Sequence, residues 1–312
     1  MSVLICGSIA YDNIMVFPDR FRNHILPDQI HILNVSFLVP AMRREYGGCA
    51  GNIAYSLKLL GGEPVIMATV GQDAGPYLER LARFDITDVH VRRIADAFTA
   101  QCFITTDLDD NQITAFHPGA MSFSHENRVS DAEGIKLGIV APDGRDGMLE
   151  HAQQFADAGI PFIFDPGQGM PMFDGKDLLH FLELATWCTV NDYEAKLLCD
   201  RTGLTEAQVA ERVEAFIVTR GAEGSRVYHD GTVSEVACVP AAAVLDPTGC
   251  GDAYRAGLLY GLSRGVDIVA SARLASVMGS IKIASRGPQN HAPTREEIAR
   301  RHREAFGVEL AF

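Results

Sequence analysis

The chain has 312 residues, and 40 acidic against 27 basic side chains give it a net charge of −13. This balance argues against a nucleic-acid or membrane-surface partner, because phosphate groups select clustered Lys and Arg side chains. No apolar run approaches the ~20 residues of a spanning helix. Seven cysteines without a Cys-x-x-Cys pair indicate neither a disulfide framework nor a zinc site. We therefore expect a cytoplasmic protein whose residues 1–312 form one large domain.

Short apolar runs recur along most of the chain, and each is followed by a polar or glycine-containing loop. The runs cover residues 3–6, 64–70, 135–141, 160–164, 188–190 and 216–218. Helices are predicted between these runs. One contains Ile53, Leu57 and Leu60, which recur at helical spacing; a second extends from residue 252 to about 263, and a third follows Thr294. This alternation predicts an α/β fold built on a mostly parallel sheet.

Two stretches, about residues 13–40 and 98–117, interrupt the alternation. The strand-like pieces within them cover residues 29–33, 35–39, 99–106 and 112–117. The last two pieces are joined by the turn-rich residues 107–111, which predicts a hairpin. Four short strands outside the α/β order predict a small separate sheet. We expect this sheet to act as a mobile lid over a site at the strand ends of the main sheet.

The strongest chemical signal is residues 246–252, DPTGCGD, which run directly into an apolar helix. The N–H groups of a first helical turn lack helical partners, and together with the helix dipole they form an anion site. A carboxylate there, Asp252, is unfavourable unless it accepts a proton, for example from an attacking hydroxyl. The alternative interpretation is a glycine-rich helix entry with Asp252 as a capping residue.

A second signal is residues 47–52, GGCAGN, at another predicted helix start. Gly48 permits a close approach of backbone, and Asn52 can both donate and accept hydrogen bonds. Alone, this cluster is explained better by a tight turn. The sequence has neither a Walker P-loop nor a Gly-x-Gly-x-x-Gly motif after the first strand, which argues against P-loop NTPases and dinucleotide oxidoreductases.

Together, the two motifs resemble the two signatures of the ribokinase-like, or PfkB, family of carbohydrate and nucleoside kinases. Their order, separation and helix context match the family. Supporting matches are Gly7-Ser8 with Asp12, residues 191–194 (NDYE), and residues 218–221 (VTRG) with Gly224. The resemblance implies a ribokinase-like three-layer α/β sandwich with a small β-sheet lid through which a homodimer forms.

Within the family, the chain is most similar to the mycobacterial type of adenosine kinase. The matching segments are GSIA at 7–10, FP and RF within 17–21, LP at 26–27, SFLV at 36–39, PGAMS at 118–122, NDYE at 191–194 and DPT at 246–248. Several of them belong to the lid, where kinases of this family differ by substrate. The resemblance implies ATP-dependent phosphorylation of the ribose 5′-hydroxyl of adenosine, giving AMP.

The resemblance assigns roles to individual positions. The catalytic base and its anion hole correspond to Asp252 and to Gly249, Cys250 and Gly251. The positions that hold the sugar hydroxyls correspond to Asp12, Gly48 and Asn52, with further contacts at Ser8 and Ser36. A carboxylate can accept two hydroxyl protons at once, which suits a cis-diol.

The nucleotide side follows from the same resemblance. Asn191 and Glu194 correspond to residues that organise Mg²⁺ through water beside the ATP phosphates. Their alternative interpretation is a helix N-cap and a first-turn acid. The nucleotide-binding loop corresponds to Thr219, Gly221 and Gly224, with Thr248 at the anion site. Asp246 and residues 286–289 correspond to a region where family members bind a monovalent cation, so K⁺ is a further candidate.

The base side departs from the resemblance. Cys102 replaces an aromatic residue that stacks on the purine, and Phe103 points the opposite way on a strand. Phe116 is retained as one stacking platform, and Gly169 replaces a polar residue while Gln168 remains. The base preference is therefore left open. A free-sugar kinase acting on ribose or a ketose remains an alternative. A catalytically silent nucleoside- or sugar-binding protein is another, although the intact glycine frame around Asp252 argues against it.

Overall fold

A computed structural model describes residues 1–25, 34–109 and 111–310 of the chain. The strands in these ranges are β1 Ser2–Cys6, β2 Ala10–Val16, β3 Ala41–Gly47, β4 Glu63–Val70, β5 Val91–Arg93, β6 Ala100–Thr106, β7 Gln112–His117, β8 Gly138–Val140, β9 Phe162–Phe164, β10 Trp187–Asn191, β11 Ala215–Thr219, β12 Ser225–His229 and β13 Thr232–Val236. The helices are α1 Cys49–Leu59, α2 Gly75–Arg83, α3 Arg145–Asp157, α4 Gly175–Leu184, α5 Asp192–Thr202, α6 Glu206–Ala210, α7 Cys250–Ser263, α8 Ile268–Lys282 and α9 Arg295–Phe306.

The main sheet has the strand order β13-β12-β11-β10-β9-β8-β1-β4-β5. Strands β1, β4, β5 and β8 to β11 pair in parallel, and β12 and β13 form an antiparallel edge hairpin. Every apolar run predicted as a strand lies in this sheet, although β8 and β9 are shorter than the predicted runs. The prediction of a mostly parallel α/β sheet is confirmed.

Helices cover both faces of this sheet, and successive residues of one strand show why. Val3 and Ile5 belong to a core cluster with α1, α2, α7, α8 and α9, whereas Leu4 and Cys6 belong to a second cluster with α3 to α6. Because side chains alternate along a strand, a strand buried on both faces is apolar throughout. The three-layer sandwich is thus confirmed. None of the helices in the described ranges has the length and apolarity to cross a membrane.

A separate four-stranded sheet, called the small sheet below, has the order β3-β2-β6-β7. Its β6–β7 hairpin is the hairpin predicted from the sequence. The predicted strand at 35–39 is wrong, and the predicted piece at 29–33 lies outside the described residues. Instead of pairing in a sheet, Phe37 packs against the rings of Phe17 and Phe21, and the neighbouring strand is β3.

Candidate active site

The strand order of the main sheet reverses at β1, and in open α/β sheets such a reversal leaves a crevice at the carboxyl ends of the strands. From β1 the chain continues to β4 on one side, whereas β8 is added later on the other side. Ligands of open α/β sheets bind outside the carboxyl ends of the strands at such a point. Ser8 follows β1 at this edge, and its N–H donates to the carbonyl of Pro142, which follows β8.

Helix α7 begins at this edge as the sequence predicts. Gly249 is its N-cap with φ +80°, and a Cβ at this position would lie 2.7 Å from Cβ of Pro288, so only glycine fits. Thr248 and Gly251 are exposed beside it. The N–H of Cys250, one of the predicted anion-hole groups, donates to the carbonyl of Pro247 at 3.1 Å. The first turn of α7 therefore presents a tight, glycine-framed backbone to the crevice.

The two sequence motifs meet at one hydrogen bond. Asn52 Nδ2 donates to Asp252 Oδ2 at 2.8 Å, although the residues are 200 positions apart. Asn52 lies in the first turn of α1 and is buried, and Asp252 lies in the first turn of α7. Asp252 is not the N-cap of α7, so its capping interpretation is wrong. The arrangement brings a carboxylate, an amide and the start of a helix to one point of the crevice.

The carboxylates of this site are more basic than an ordinary aspartate. Burial raises the pKa of Asp252 to about 6, with the nearby Asp165 adding to the rise and the hydrogen bond from Asn52 opposing it. Burial also raises the pKa of Asp12 to about 6, reinforced by the charges of Glu45 and Asp246. A carboxylate with a pKa close to the working pH is better suited to accept a proton than an exposed one.

A buried hydrogen-bond network supports Asn52, and no sequence pattern predicts it. Gln289 Nε2 donates to Asn52 Oδ1 at 2.9 Å and to the hydroxyl of Tyr77 at 2.7 Å. The Tyr77 hydroxyl in turn donates to the carbonyl of Gly47 at 2.6 Å. Gln289 and Tyr77 are buried, so the orientation of the Asn52 amide is set by protein groups. These contacts join residues far apart in the chain, which no local pattern signals.

A buried ion pair lies behind Asp252. Arg255 Nε and Nη2 donate to the two carboxylate oxygens of Asp165 at 3.0 and 2.9 Å. Both side chains are buried, and their charges also influence Asp252 and Glu194. Bidentate geometry of this kind orients both partners. The charges of this pair therefore act on Asp252 in α7 and on Glu194 in α5.

The predicted substrate contacts on the small sheet form one cross-strand row. Asp12 on β2 is paired with Glu45 on β3 and with Cys102 on β6, and Cys102 is paired with Phe116 on β7. Paired residues of neighbouring strands point to the same face. Phe103 pairs with Ala115 and therefore points to the opposite face, as expected from the sequence. The row runs from the acidic end of the crevice to an aromatic ring.

The other residues predicted to contact substrate are Ser8, Gln168, Gly48 and Ser36, and the first three contact other parts of the protein. Ser8 Oγ accepts the N–H of Cys49 at 3.2 Å, and Gln168 Nε2 lies 3.3 Å from Cys49 Sγ. At Gly48, φ is +84° and a Cβ would lie within 2.7 Å of backbone atoms at positions 8–10. This glycine therefore lets the start of α1 pack directly against the backbone between β1 and β2. Ser36 is exposed, and its side chain makes no hydrogen bond within the described residues.

The predicted nucleotide residues lie at the ends of β10 and β11. Asn191 and Glu194 form a reciprocal capping box at the start of α5, in which each side chain accepts the other's N–H at 2.8 Å. The capping interpretation of both residues is therefore confirmed. Thr219 ends β11, and Gly221 and Gly224 both have positive φ in the turn that follows. A Cβ at Gly224 would lie 2.1 Å from the carbonyl of Val236.

A twisted parallel sheet between helix layers, with a carboxylate at a glycine-framed helix start and a small sheet beside it, is the architecture of ribokinase-fold kinases. The chain belongs to the pfkB family of carbohydrate kinases, whose model matches residues 12–295. The family predicted from the two motifs is thereby confirmed.

Similar proteins include nucleoside kinases of an archaeon and of a bacterium. The chain is 30% identical over 270 residues to a nucleoside kinase of Methanocaldococcus jannaschii, covering 86% of this chain and 89% of that protein. The structure of the Methanocaldococcus enzyme, described as an archaeal member of the ribokinase family, aligns with a TM-score of 0.89 at 28% identity, covering 97% and 98% of the two chains. A Burkholderia thailandensis nucleoside kinase in complex with inosine aligns with a TM-score of 0.90 at 56% identity, covering 98% and 99%.

Proposed function

We propose that this chain is an ATP-dependent nucleoside kinase that phosphorylates the ribose 5′-hydroxyl, with adenosine and inosine among its acceptors. The observation that carries the proposal is the hydrogen bond between Asn52 and Asp252, because it joins a proton acceptor to a group able to hold a sugar hydroxyl. The Burkholderia nucleoside kinase, also known with ADP and inosine at 58% identity, supports a purine nucleoside as acceptor.

In the proposed reaction, Asp252 accepts the proton of the 5′-hydroxyl as its oxygen attacks the γ-phosphorus of ATP. The bond between that phosphorus and the β–γ bridging oxygen breaks, and ADP leaves with the bond's electron pair. The glycine-framed first turn of α7 stabilises charge on the transferring group. Catalysis of phosphoryl transfer consists mainly of such positioning and charge stabilisation.

Asn191 and Glu194 are proposed to lie beside the phosphates and to hold Mg²⁺ through water. Within the described residues there is no cluster of three or more His, Cys, Asp or Glu side chains that could hold a metal. The donor set nevertheless fits, because Mg²⁺ in kinases keeps several waters and uses substrate phosphates with one or two carboxylates. The capping box holds the Glu194 side chain in one orientation for this role. When bound, Mg²⁺ neutralises phosphate charge.

The row on the small sheet supports a nucleoside rather than a free sugar. Asp12 is proposed to hold ribose hydroxyls, and Phe116, two strands away, is proposed to stack on the base. Phe116 is 51% exposed, so its ring is available to a ligand. Free ribose would reach Asp12 but not Phe116, since two strands separate the residues by about 10 Å.

We further propose that the small sheet closes over the nucleoside as a lid. Every residue of β7 is exposed, which fits a strand that gains contacts when substrate binds. Hydrogen exchange measures this directly: adenosine should slow exchange in β6 and β7, while buried β10 and β11 change little. Equal exchange of the small sheet with and without adenosine would contradict closure.

A homodimer through the small sheet is also proposed. The face opposite Asp12 carries three exposed apolar side chains, Met42, Phe103 and Ile113. Exposed apolar side chains grouped on one face indicate an interface. Substituting Phe103→Asp should shift the mass in sedimentation equilibrium from dimer to monomer. A wild type that sediments as a monomer at all concentrations would contradict this proposal.

The acceptor is tested by a phosphorylation panel of adenosine, inosine, cytidine, ribose and fructose with ATP and Mg²⁺. Nucleoside monophosphates are expected as the main products, and Asp252→Asn is the matched inactive control. Ribose or fructose as the better substrate would establish the free-sugar alternative. No phosphate transfer to any acceptor, with intact nucleoside binding, would establish the silent binding protein.

A further inference from the structure

A completely buried lysine lies beneath the proposed anion site. Lys282 is the last residue of α8, and its side chain is 0% exposed. Its Nζ donates to the carbonyl of Asp246 at 2.8 Å and to the carbonyl of Ser285 at 3.1 Å. An ammonium removed from water needs such partners, and the negative end of a helix dipole favours it. The charge is therefore held between two backbone oxygens, one just after α8 and one in the segment before α7.

The Asp246 carbonyl belongs to the segment that leads into α7. Leu245 and Asp246 donate their N–H groups to the carbonyl of Ile283 at 2.9 and 3.2 Å. The Asp246 carboxylate accepts the N–H of Thr248 at 2.9 Å and that of Gly287 at 2.8 Å. Lys282 thus completes a set of bonds that connect the end of α8 to Leu245 and Asp246, shortly before Gly249.

Acidic groups surround this ammonium on the side of the crevice. Burial lowers the pKa of Lys282, and the nearby Asp246, Asp252 and Glu45 carboxylates and the Cys250 thiol oppose that shift. Burial lowers the pKa of His291, and the positive charge of Lys282 lowers it further. Lys282 therefore supplies positive charge among groups that would otherwise repel phosphate.

The oxygen atoms around Asp246 do not fit a free monovalent cation. Its carbonyl accepts Lys282, and both of its carboxylate oxygens accept backbone N–H groups. The Ser285 carbonyl is also bonded to Lys282. A metal ion placed among these oxygens would face a fixed ammonium of the same sign. The region from which the sequence suggested K⁺ binding already contains a cation that belongs to the chain.

We propose that the Lys282 ammonium is a built-in cation that holds the Asp246–Gly249 segment against α8 and so positions the anion site without a monovalent metal ion. This inference rests on the proposed kinase function. Lys282 is a positioning residue, because it acts through the backbone and is buried from substrate. It follows that K⁺ does not activate the wild-type enzyme.

The test compares wild type, Lys282→Ala and Lys282→Arg in KCl, NH₄Cl and choline chloride at constant ionic strength. Wild type should be equally active in all three salts. Lys282→Ala should lose about 10- to 100-fold in kcat, the order of effect expected from misplaced catalytic groups, with little change in KM for adenosine. Potassium or ammonium should restore part of that loss in a saturable way, because the truncated side chain leaves room for an ion. Lys282→Arg should retain more activity than Lys282→Ala.

Lys58→Ala is the matched control, since Lys58 also lies in the last turn of a helix and donates to a backbone carbonyl, that of Asp85 at 2.9 Å, but near the surface. It should change neither kcat nor the response to salts. ADP affinity measured by calorimetry gives a readout independent of the acceptor: Lys282→Ala should bind ADP more weakly, and K⁺ should restore binding.

Three results would overturn the inference: wild type activated by K⁺, Lys282→Ala with unchanged kcat, or a loss of activity and ADP affinity that no cation restores. If Lys282→Ala does not fold, Lys282→Met retains the apolar stem and takes its place. Should no acceptor be phosphorylated at all, the proposed function fails, whereas the ADP measurement still decides the role of Lys282.

Discussion

The two sides of the crevice are built differently. On the proposed ribose–phosphate side, hydrogen bonds of 2.7 to 2.9 Å join Asp252 to Asn52 directly and Asn52 to Tyr77 through Gln289. On the base side, Phe116 stands half-exposed on an edge strand. The residues of the first side are thus held in place by contacts within the protein, whereas the Phe116 ring on the second side is open to solvent.

This difference indicates that, in the proposed enzyme, one side performs catalysis and the other binds the base. Groups that act on charge in a transition state need positions set in advance, and the buried network supplies them. A ring that stacks on a base tolerates any base, because each has an aromatic face. We therefore expect activity to depend strongly on the residues of the phosphate side, and we expect the base side to accept different bases.

The largest effect is expected from Asp252→Asn. Removing a general base costs ~10²–10⁴-fold in rate, so kcat should collapse while ATP and adenosine still bind. The asparagine can still accept the Asn52 hydrogen bond. Rates from a coupled assay and affinities from calorimetry measure the two outcomes, and a variant that kept more than about a tenth of kcat would contradict the role.

The same variant should be more stable at alkaline pH. A carboxylate with a raised pKa contributes stability below its unfolded value, and that contribution is lost as pH rises through its folded pKa of about 6. Asparagine avoids this loss, which amounts to at most about 3 kcal/mol for two pKa units. The gain in unfolding free energy should therefore be larger at pH 8 than at pH 4.

Phe116→Ala tests the base side. An aromatic–base stack is worth about 1–3 kcal/mol, so kcat/KM for adenosine should fall by about 5- to 150-fold, mainly through KM. Any activity on free ribose should stay unchanged. Phe103→Ala, which removes a ring from the opposite face of the small sheet, is the matched control once sedimentation shows that both variants have the same oligomeric state. Equal losses with adenosine and ribose would show that the ring does not contact the base.

Gln289→Met breaks the support of Asn52 without touching a ligand. It leaves Asn52 Oδ1 without its donor, and an unsatisfied buried polar group costs about 1–3 kcal/mol of stability. With the amide free to rotate, we expect about a tenfold loss in kcat/KM, equal to 1.4 kcal/mol. The loss should be the same for adenosine and inosine. A loss of kcat/KM for only one of the two nucleosides would show that Gln289 also affects binding of the base.

The pH profile is expected to distinguish these carboxylates from ordinary ones. Asp252 has a pKa of about 6, so protonation of this base should by itself lower kcat/KM for adenosine about 10-fold between pH 7 and pH 5. Asp12 has a similar pKa, and its protonation should deepen the fall to about 100-fold if the ribose contact requires the carboxylate. Circular dichroism at pH 5 checks that the fold persists. An acid limb near pH 4 would indicate that burial does not raise these pKa values.

The smallest effect is expected from Cys102→Phe. Cys102 lies between Asp12 and Phe116 in the cross-strand row, and a ring there would add stacking surface on the base side. Adenosine should bind a few-fold more tightly, which is less than the about 1–3 kcal/mol of a full stack, and selectivity among nucleosides should sharpen. Unchanged KM values for all nucleosides would show that the row stops short of the base.

The sequence predicted the parts of the fold that depend on neighbouring residues. The apolar runs of the main sheet, the two glycine motifs and the β6–β7 hairpin all have local signals. Strand β3 was missed because its central residues are charged, and the segment at 35–39 was misread because Phe37 packs on distant rings. Gln289 and Lys282 act through partners 237 and 36 positions away, and no spacing rule reveals such contacts.

We propose above all that hydrogen-bonded groups on the phosphate side act on a nucleoside whose base is loosely held. A single competition reaction tests it, with equal concentrations of adenosine, inosine and ribose and limiting ATP, and product ratios that report relative kcat/KM. We expect the nucleoside monophosphates to exceed ribose phosphate by at least about 5-fold and to lie within about 10-fold of each other. Ribose phosphate as the main product, or exclusive use of one purine nucleoside, would contradict the account.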